Sequence, residues 1–191
     1  MSPTFDDPYF DAMRKWVQFA GPKEGRDPVR VSRAFTALRR SVLAASPADF
    51  GLAPSERLPR VWAVLVDLEV GADVAALACV ADGSTSLYWG SGGGILGEGS
   101  GQPVAAAATR LLEVAERVLD VLPEADRIAL PVTGSLAFLV LAYEGMRRLE
   151  VAEAETLKAG PGAAHELHVA TQDVIAALRL ADAAADAPKE S

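Results

Sequence analysis

Two apolar segments constrain the fold most, because in each of them both the odd-numbered and the even-numbered positions are apolar. They are VAALACVA at residues 74–81 and SLAFLVLAY at residues 135–143. Successive side chains of a strand point to opposite faces, so a strand of this kind must be covered on both sides. Both segments are much shorter than the ~20 residues of a membrane-spanning helix. We therefore expect two strands that pair at mid-sheet, with helices on both faces.

Further strand patterns flank these two segments. In VWAVLVDLEV, residues 61–70, apolar residues alternate with Asp67 and Glu69, which predicts a strand with a solvent-facing side in its second half. Asp82-Gly83 is a strong hairpin signal that links residues 74–81 to STSLYW. These three strands are expected to form a meander.

The second half of the chain predicts a helix followed by a hairpin. The helix runs from Gln102 to about Leu122, with Glu113 and Arg117 as a surface pair four residues apart. A short strand RIAL is predicted at 127–130. Residues 135–143 are followed by a turn at Glu144-Gly145 and by MRRLEV, whose three charges predict an edge strand. A last helix is predicted from the spacing of the following apolar residues: Leu167, Val174, Leu178 and Ala181.

Together these elements predict an α+β fold. The sheet is mostly antiparallel, with five or six strands in the order meander, helix, hairpin, and with helices on its faces. This layout is similar in outline to profilin-like and roadblock-type regulatory domains, which use a five-strand antiparallel sheet flanked by helices. Three strands precede the middle helix here, whereas two do so in the roadblock pattern. The chain shares no motif with these domains from which functional residues could be assigned.

The chain length of 191 residues fits one domain. We expect an N-terminal arm at 1–27 with a short aromatic helix and a linker, a single domain at 28–181, and a disordered tail at 182–191. Within the domain, Asp27 and Pro28 are expected to start a helix that continues to about Ala45. Its apolar face is predicted to hold Val31, Phe35, Leu38 and Val42, and its outer face to hold Arg30, Arg33 and Arg40.

Charge is distributed unevenly along the chain. Residues 1–60 hold 10 Lys+Arg and 7 Asp+Glu, whereas residues 61–191 hold 8 and 19, which gives +3 and −11 within the total of −8. An acidic body repels nucleic acid and anionic lipid, so neither is expected as a partner. Asp6 and Asp7 stand where a secretory signal would place Lys or Arg, and Cys79 is a single cysteine in an apolar run. A cytoplasmic location is expected.

A glycine-rich segment occupies residues 90–101. Gly92, Gly94 and Gly97 match the spacing G-x-G-x-x-G, and with Ser100 they form the candidate ligand-binding set. The preceding meander is not the parallel βαβ unit of a dinucleotide site, and Glu98 would oppose a phosphate. The competing interpretation is a tight crossing that places Ile95 and Leu96 in the core.

No catalytic residue, metal ligand set or cofactor is predicted. The two histidines, His165 and His168, are three residues apart, whereas a helical zinc site prefers a spacing of four and further ligands. The sequence has no G-x-S-x-G elbow, and the apolar neighbours of Cys79 do not favour a reactive thiolate.

These patterns favour a non-catalytic cytoplasmic module for protein interaction or regulation, whose partner is another protein or a second copy of the chain. The candidate partner-binding residues are Tyr9, Phe10, Trp16, Arg30, Arg33 and Arg40. One alternative is a small-ligand or nucleotide-binding domain that uses residues 90–101. Another is an acidic inhibitor or immunity-type protein that masks a basic toxin or nuclease.

Overall fold

The computed structural model of the protein describes residues 31–70, 73–96, 102–158 and 160–185. Within them lies one antiparallel sheet with six strands: β1 Val61–Val70, β2 Asp73–Val80, β3 Thr85–Trp89, β4 Gly94–Leu96, β5 Ser135–Ala142 and β6 Gly145–Ala152. The described helices are α1 Arg33–Ala44, α2 Gln102–Val118, α3 Glu153–Lys158 and α4 Ala163–Ala185. Short 3-10 turns cover Pro47–Phe50 and Leu119–Val121. The predicted α+β class is confirmed.

The strand order is β4-β3-β2-β1-β5-β6, and every neighbouring pair is antiparallel. The predicted meander β1 to β3 and the hairpin of β5 with edge strand β6 are both present. The expected pairing of the two wholly apolar strands, β2 and β5, is wrong, because β1 lies between them. Val64 of β1 pairs with Cys79 on one side and Val140 on the other. β1 is thus a central strand, and its residues 61–68 are all buried.

The two faces of the sheet carry different side chains and different covers. One face packs on α2 and α4 in a core that includes Val64, Leu77, Leu111, Phe138 and Val174. The other face is rich in small residues, and these are Ala63, Ala76, Ala78 and Ala137. α1 packs on this second face through Phe35, together with Phe50, Leu52 and Leu130 from loops and a 3-10 turn. The small residues leave room for one helix lying close to the strands.

Helix α1 begins later than the sequence predicts. Ser32 is extended, with φ −67° and ψ 156°, and its Oγ accepts a hydrogen bond from the Phe35 amide at 3.1 Å. Ser32 is therefore the N-cap, and the helix starts at Arg33. The predicted cap, Asp27, lies outside the described residues. The predicted apolar face is also rotated, since Leu38 is exposed and Arg39 is buried.

The second half differs from prediction in smaller ways. Residues 127–130 form no strand, because the β6 edge is already occupied by residues 123–125: the Arg148 amide donates to the Pro123 carbonyl and the Ala125 amide to the Met146 carbonyl. α2 ends at Val118, and α4 continues to Ala185, past the predicted end of the domain. The predicted arm at 1–27 and residues 186–191 of the predicted tail lie outside the described residues.

Candidate functional site

The outward side of α1 presents two arginines. Arg33 and Arg40 are both exposed. A spacing of seven residues places them on one side of the helix, about 10 Å apart along its axis. Ala37 lies between them and Leu38 lies at the margin, and both are exposed. We call these four residues the α1 outer face.

The arginines of the α1 outer face differ from most others in the described part of the chain. Ion pairs there engage seven arginines, and these are Arg39, Arg57, Arg60, Arg117, Arg127, Arg147 and Arg148. The predicted pair of Glu113 with Arg117 is wrong, because Glu113 pairs with Arg57 and Arg117 with Glu166. Within the same residues, Arg33 and Arg40 form no ion pair. Both guanidinium groups are charged donors that can bind a carboxylate with two hydrogen bonds.

A buried ion pair sets the rotation of α1. Arg39 donates from Nε to Asp67 Oδ1 at 2.9 Å and from Nη2 to Asp67 Oδ2 at 2.6 Å. Burial raises the pKa of the Asp67 carboxyl, and the Arg39 guanidinium opposes that rise. Because Phe35 and Arg39, one turn apart, both point to the sheet, Arg33 and Arg40 must point away from it.

The location of Asp67 corrects the sequence prediction. Asp67 was expected to share a solvent-facing side with Glu69, but its exposed fraction is 0%. The alternation within β1 places Asp67 correctly on the face opposite Val66 and Leu68. The alternation alone does not show that α1 covers this face. The signal that indicates the partner is Arg39, four residues after Phe35 and thus at an inward position of α1.

The polar cluster continues across the sheet to β6. Arg148 is buried, donates from Nη2 to Glu150 Oε2 at 2.7 Å, and donates from Nη1 to the Ala129 carbonyl at 3.0 Å. Glu150 also accepts from Arg127 Nη2 at 2.6 Å and from the Val132 amide at 3.0 Å. Burial raises the pKa of Glu150, but these donors outweigh it and hold the pKa below its usual value. The cluster anchors the loop 127–132 over the same face as α1.

The glycine-rich segment turns back on itself as a short hairpin from β3 to β4. The Gly90 amide donates to the Val74 carbonyl at 2.6 Å, and the Gly92 amide to the Trp89 carbonyl at 2.9 Å. The Ser91 amide and hydroxyl both donate to the Asp73 carboxylate. Three successive amides are thus already bonded within the protein, and a carboxylate stands beside them. Both features disfavour an anion at this point.

The predicted ligand-binding set is only partly placed. Gly92 lies in the turn with φ +111°, and Gly94 begins β4. Gly97 and Ser100 lie outside the described residues. Gly94 has a packing reason of its own, because a Cβ there would meet the Leu87 carbonyl oxygen at 2.6 Å. Ile95 packs against the core, as the tight-crossing interpretation predicts.

The histidines and the cysteine form no reactive site in the described residues. His165 Nδ1 lies 3.2 Å from the Thr156 carbonyl oxygen, and His168 is buried in α4. No group of three or more His, Cys, Asp or Glu side chains that could hold a metal ion occurs within the described ranges. Cys79 is buried, and this raises the pKa of its thiol to about 12. A thiol in this state is a poor nucleophile.

Four of the predicted partner-binding residues, Tyr9, Phe10, Trp16 and Arg30, lie outside the described residues.

Among the described helices, none is long and apolar enough to cross a bilayer. Comparisons of the chain with models of known families, with curated proteins and with solved structures find no match. The profilin-like and roadblock-like outline therefore rests on the order of the elements alone.

Proposed function

We propose that this protein is a non-catalytic cytoplasmic module for protein interaction or regulation, and that it binds an acidic partner through the α1 outer face. One observation carries the proposal: Arg33 and Arg40 are exposed and lack carboxylate partners in the described part of the chain. Most other arginines of the described residues pair with a neighbouring carboxylate. A basic surface is thus kept free on an otherwise acidic chain of net charge −8.

The chemistry of the α1 outer face suits protein contact. Arginine is enriched in protein interfaces, since its planar guanidinium can bind a carboxylate with two hydrogen bonds. Leu38 adds an apolar side chain that is 37% exposed. Complementary charge raises association rates and selects partners, so the two arginines would orient an acidic partner on approach.

The helix is also held firmly enough to act as a binding surface. Arg39 and Phe35 attach it to the sheet by a two-hydrogen-bond ion pair and a buried ring. A surface that is already ordered loses little conformational entropy on binding. The arm at 1–27, which precedes α1, is proposed to extend this surface through Tyr9, Phe10 and Trp16.

The test is affinity capture from a lysate of the native source, with mass spectrometry of the captured proteins. Arg40→Glu should reduce recovery of the specific partner by about tenfold or more, which corresponds to about 1.4 kcal/mol. Arg110→Glu is the matched control, because Arg110 is an exposed arginine of α2, on the other face of the sheet. It changes the net charge equally without touching α1.

Equal recovery by the wild-type protein, Arg40→Glu and Arg110→Glu would refute binding through α1. Deletion of residues 1–27 tests the arm separately. Unchanged recovery after that deletion would remove the arm from the proposal while leaving α1 in it.

The two other hypotheses remain predictions. The ligand-binding hypothesis now depends on Gly97 and Ser100, because the amides of residues 90–92 are bonded within the protein. Thermal-shift measurements with nucleotides and phosphorylated metabolites test it, since a ligand that binds the native state raises its melting temperature. The inhibitor hypothesis is tested by capture on a basic nuclease at low and high salt.

The cytoplasmic location within the proposal is supported by Cys79. It is the only cysteine of the chain, and it is buried and reduced in the core. Reduced thiols are the ordinary state in the cytoplasm. Fluorescence microscopy of the tagged full chain in the native source tests this location.

A further inference from the structure

One buried donor in the described part of the chain lacks an acceptor. It is Nε of Arg148 on β6, the one buried side-chain nitrogen or oxygen without a hydrogen-bond partner among the described residues. The Arg148 side chain is only 4% exposed. A guanidinium keeps its proton in proteins, so this Nε–H can act only as a donor. Native structures rarely leave a buried charged donor without an acceptor, because the loss of its hydration is costly.

The other nitrogens of the same guanidinium already have acceptors. Nη2 of Arg148 donates to Glu150 Oε2 at 2.7 Å, and Nη1 donates to the Ala129 carbonyl oxygen at 3.0 Å. These two bonds fix the guanidinium between β6 and the loop 127–132. Turning Nε towards a different group of the protein would break one of them. The missing acceptor must therefore come from outside the polypeptide.

The charges around Arg148 decide what kind of acceptor can bind. The Glu150 carboxylate is bonded to this guanidinium. Asp67 is also close enough to be affected: burial raises its pKa, and the charges of Arg39 and then of Arg148 oppose the rise. An anion at Nε would be attracted by Arg148 and repelled by both carboxylates, so little net attraction would offset the loss of its hydration. A cation cannot accept a hydrogen bond. The acceptor must therefore be neutral.

The same neighbourhood can accept a hydrogen bond in return. An ionised carboxylate has about four lone-pair positions. At Glu150 three donors are present, and these are Arg127 Nη2, Arg148 Nη2 and the Val132 amide. A neutral ligand at Nε can therefore accept from Arg148 and donate to Glu150. Water has both functions, and buried waters typically bind to about two to four polar partners.

The residue beside these groups is small. Ala137 pairs with Asp67 on β1 and with Glu150 on β6, so its methyl group lies between two longer side chains on the face that α1 covers. A buried water needs little more room than about one sphere of 1.4 Å radius. We infer that one internal water molecule binds at Arg148 Nε, accepts its hydrogen bond and donates to the Glu150 carboxylate. It is then part of the anchor that holds the loop 127–132.

Solution NMR of the full chain tests this inference. The Nε–H resonance of Arg148 is assigned by its loss in Arg148→Lys, which keeps the positive charge. In the wild-type protein this resonance should show cross-peaks to water of opposite sign in laboratory-frame and rotating-frame Overhauser experiments. Such signs indicate a water molecule that stays bound for longer than the protein takes to tumble. The amide of Leu65, buried in the middle of β1, is the control and should show no such cross-peak.

A high-resolution crystal structure of the wild-type full chain is a second measurement, and it needs no variant. It should place a water oxygen within about 3.2 Å of Arg148 Nε. A protein acceptor at this position would overturn the inference, as would the lack of a water cross-peak at the assigned Nε–H.

Melting temperatures in chloride and in gluconate, at equal ionic strength, test the charge of the ligand. Equal values are expected, because a neutral water does not depend on the anion present. A ligand that binds the native state raises its melting temperature. Chloride that stabilises the wild-type protein but not Arg148→Lys would therefore assign the site to an anion and overturn the inference.

Discussion

Arg39 and Asp67 meet between α1 and the centre of the sheet, where the two side chains share two hydrogen bonds of 2.9 and 2.6 Å. Arg39 is 8% exposed and Asp67 is 0% exposed. The pair binds α1, the one described helix on this face, to β1, the longest described strand. It also decides which side of α1 remains free for a partner.

Removal of either partner should destabilise the fold strongly. Arg39→Met leaves the buried Asp67 carboxylate without its hydrogen-bonded counter-charge, and we expect a loss of about 3 to 5 kcal/mol in the free energy of unfolding. The double variant Arg39→Met/Asp67→Leu should be more stable than either single variant, because neither charge of the pair is left buried without the other. Urea unfolding followed by circular dichroism measures all three. Arg33→Met is the exposed control, with an expected change within about 0.5 kcal/mol. Additive losses in the double variant would contradict the pair.

The glycine-rich hairpin should be sensitive to a single methyl group. A Cβ at Gly94 would meet the Leu87 carbonyl oxygen at 2.6 Å, so Gly94→Ala must push β4 away from β3. We expect a loss of about 1 to 3 kcal/mol, as for other overpacked sites. Gly160→Ala is the control, since nothing lies within 4 Å of a Cβ there and its backbone is not left-handed. Equal melting temperatures for the two variants would show that β4 tolerates the displacement.

Glu116 should contribute to stability at neutral pH and lose that contribution in acid. Burial raises its pKa, but hydrogen bonds from the Arg60 side chain and from the Val61 and Arg60 amides outweigh it, so the pKa is lowered. Because the pKa is lower in the folded than in the unfolded state, the ionised carboxylate stabilises the protein at pH values above its unfolded-state pKa near 4.5. This stabilisation is lost as the pH falls through the folded-state pKa.

Substitution of Glu116 measures that contribution. Glu116→Gln should cost roughly 1.5 to 3 kcal/mol at pH 7, because hydrogen bonds to a charged acceptor are lost. The cost should shrink towards pH 3.5 in urea unfolding series. Glu113→Gln, which breaks the more exposed pair with Arg57, should cost less than about 1 kcal/mol. A pH-independent effect of Glu116→Gln would contradict the charged interaction.

His168 should titrate below a free histidine. Burial lowers its pKa and the neighbouring His165 lowers it further. The neutral ring is thus favoured in the folded state. Stability is therefore highest at pH values above the unfolded-state pKa near 6.5, and it is lost as the pH falls through the lower folded-state pKa. His165→Gln should raise the pKa of His168, because one source of repulsion is removed. NMR titration of the ring protons gives both values, and an unchanged midpoint in the variant would rule out the coupling.

Cys79 should be inert in the native state. Its thiol is fully buried, and burial raises the pKa to about 12. We expect no measurable reaction with a thiol-specific reagent such as dithionitrobenzoate at pH 8, and complete reaction once urea unfolds the chain. The native rate should follow the population of unfolded protein. Fast labelling without denaturant would show that β2 opens locally.

The sequence predicts the sheet better than it predicts the contacts between distant segments. β2 is recognisable because VAALACVA has no polar face, and Asp82-Gly83 marks the turn into β3. The charges of β6 indicate an edge strand, and β6 is at the edge. These features depend on local spacing and turn chemistry, which a single sequence contains.

The candidate site depends on contacts that local spacing does not contain. Asp67 looks solvent-facing until Arg39, far upstream, is known to lie over it. RIAL has the composition of a strand, yet Arg127 forms an ion pair with Glu150, and Pro123 and Ala125 form the backbone hydrogen bonds with the edge of β6. The central position of β1 likewise depends on its pairing with β5, which no pattern within β1 specifies.

The position of β1 has a consequence for the order of folding. Strands β1 to β4 follow one another closely along the chain, as do β5 and β6, but among the described residues these two groups are joined only by the pairing of β1 with β5, as in Val66 with Phe138. Closing a long loop delays such a pairing relative to hairpins. We expect pulse-labelled amide exchange to show protection of the amides bonded within each group before that of the amides that join β1 to β5, so the last step to complete the sheet would be the joining of two preformed halves.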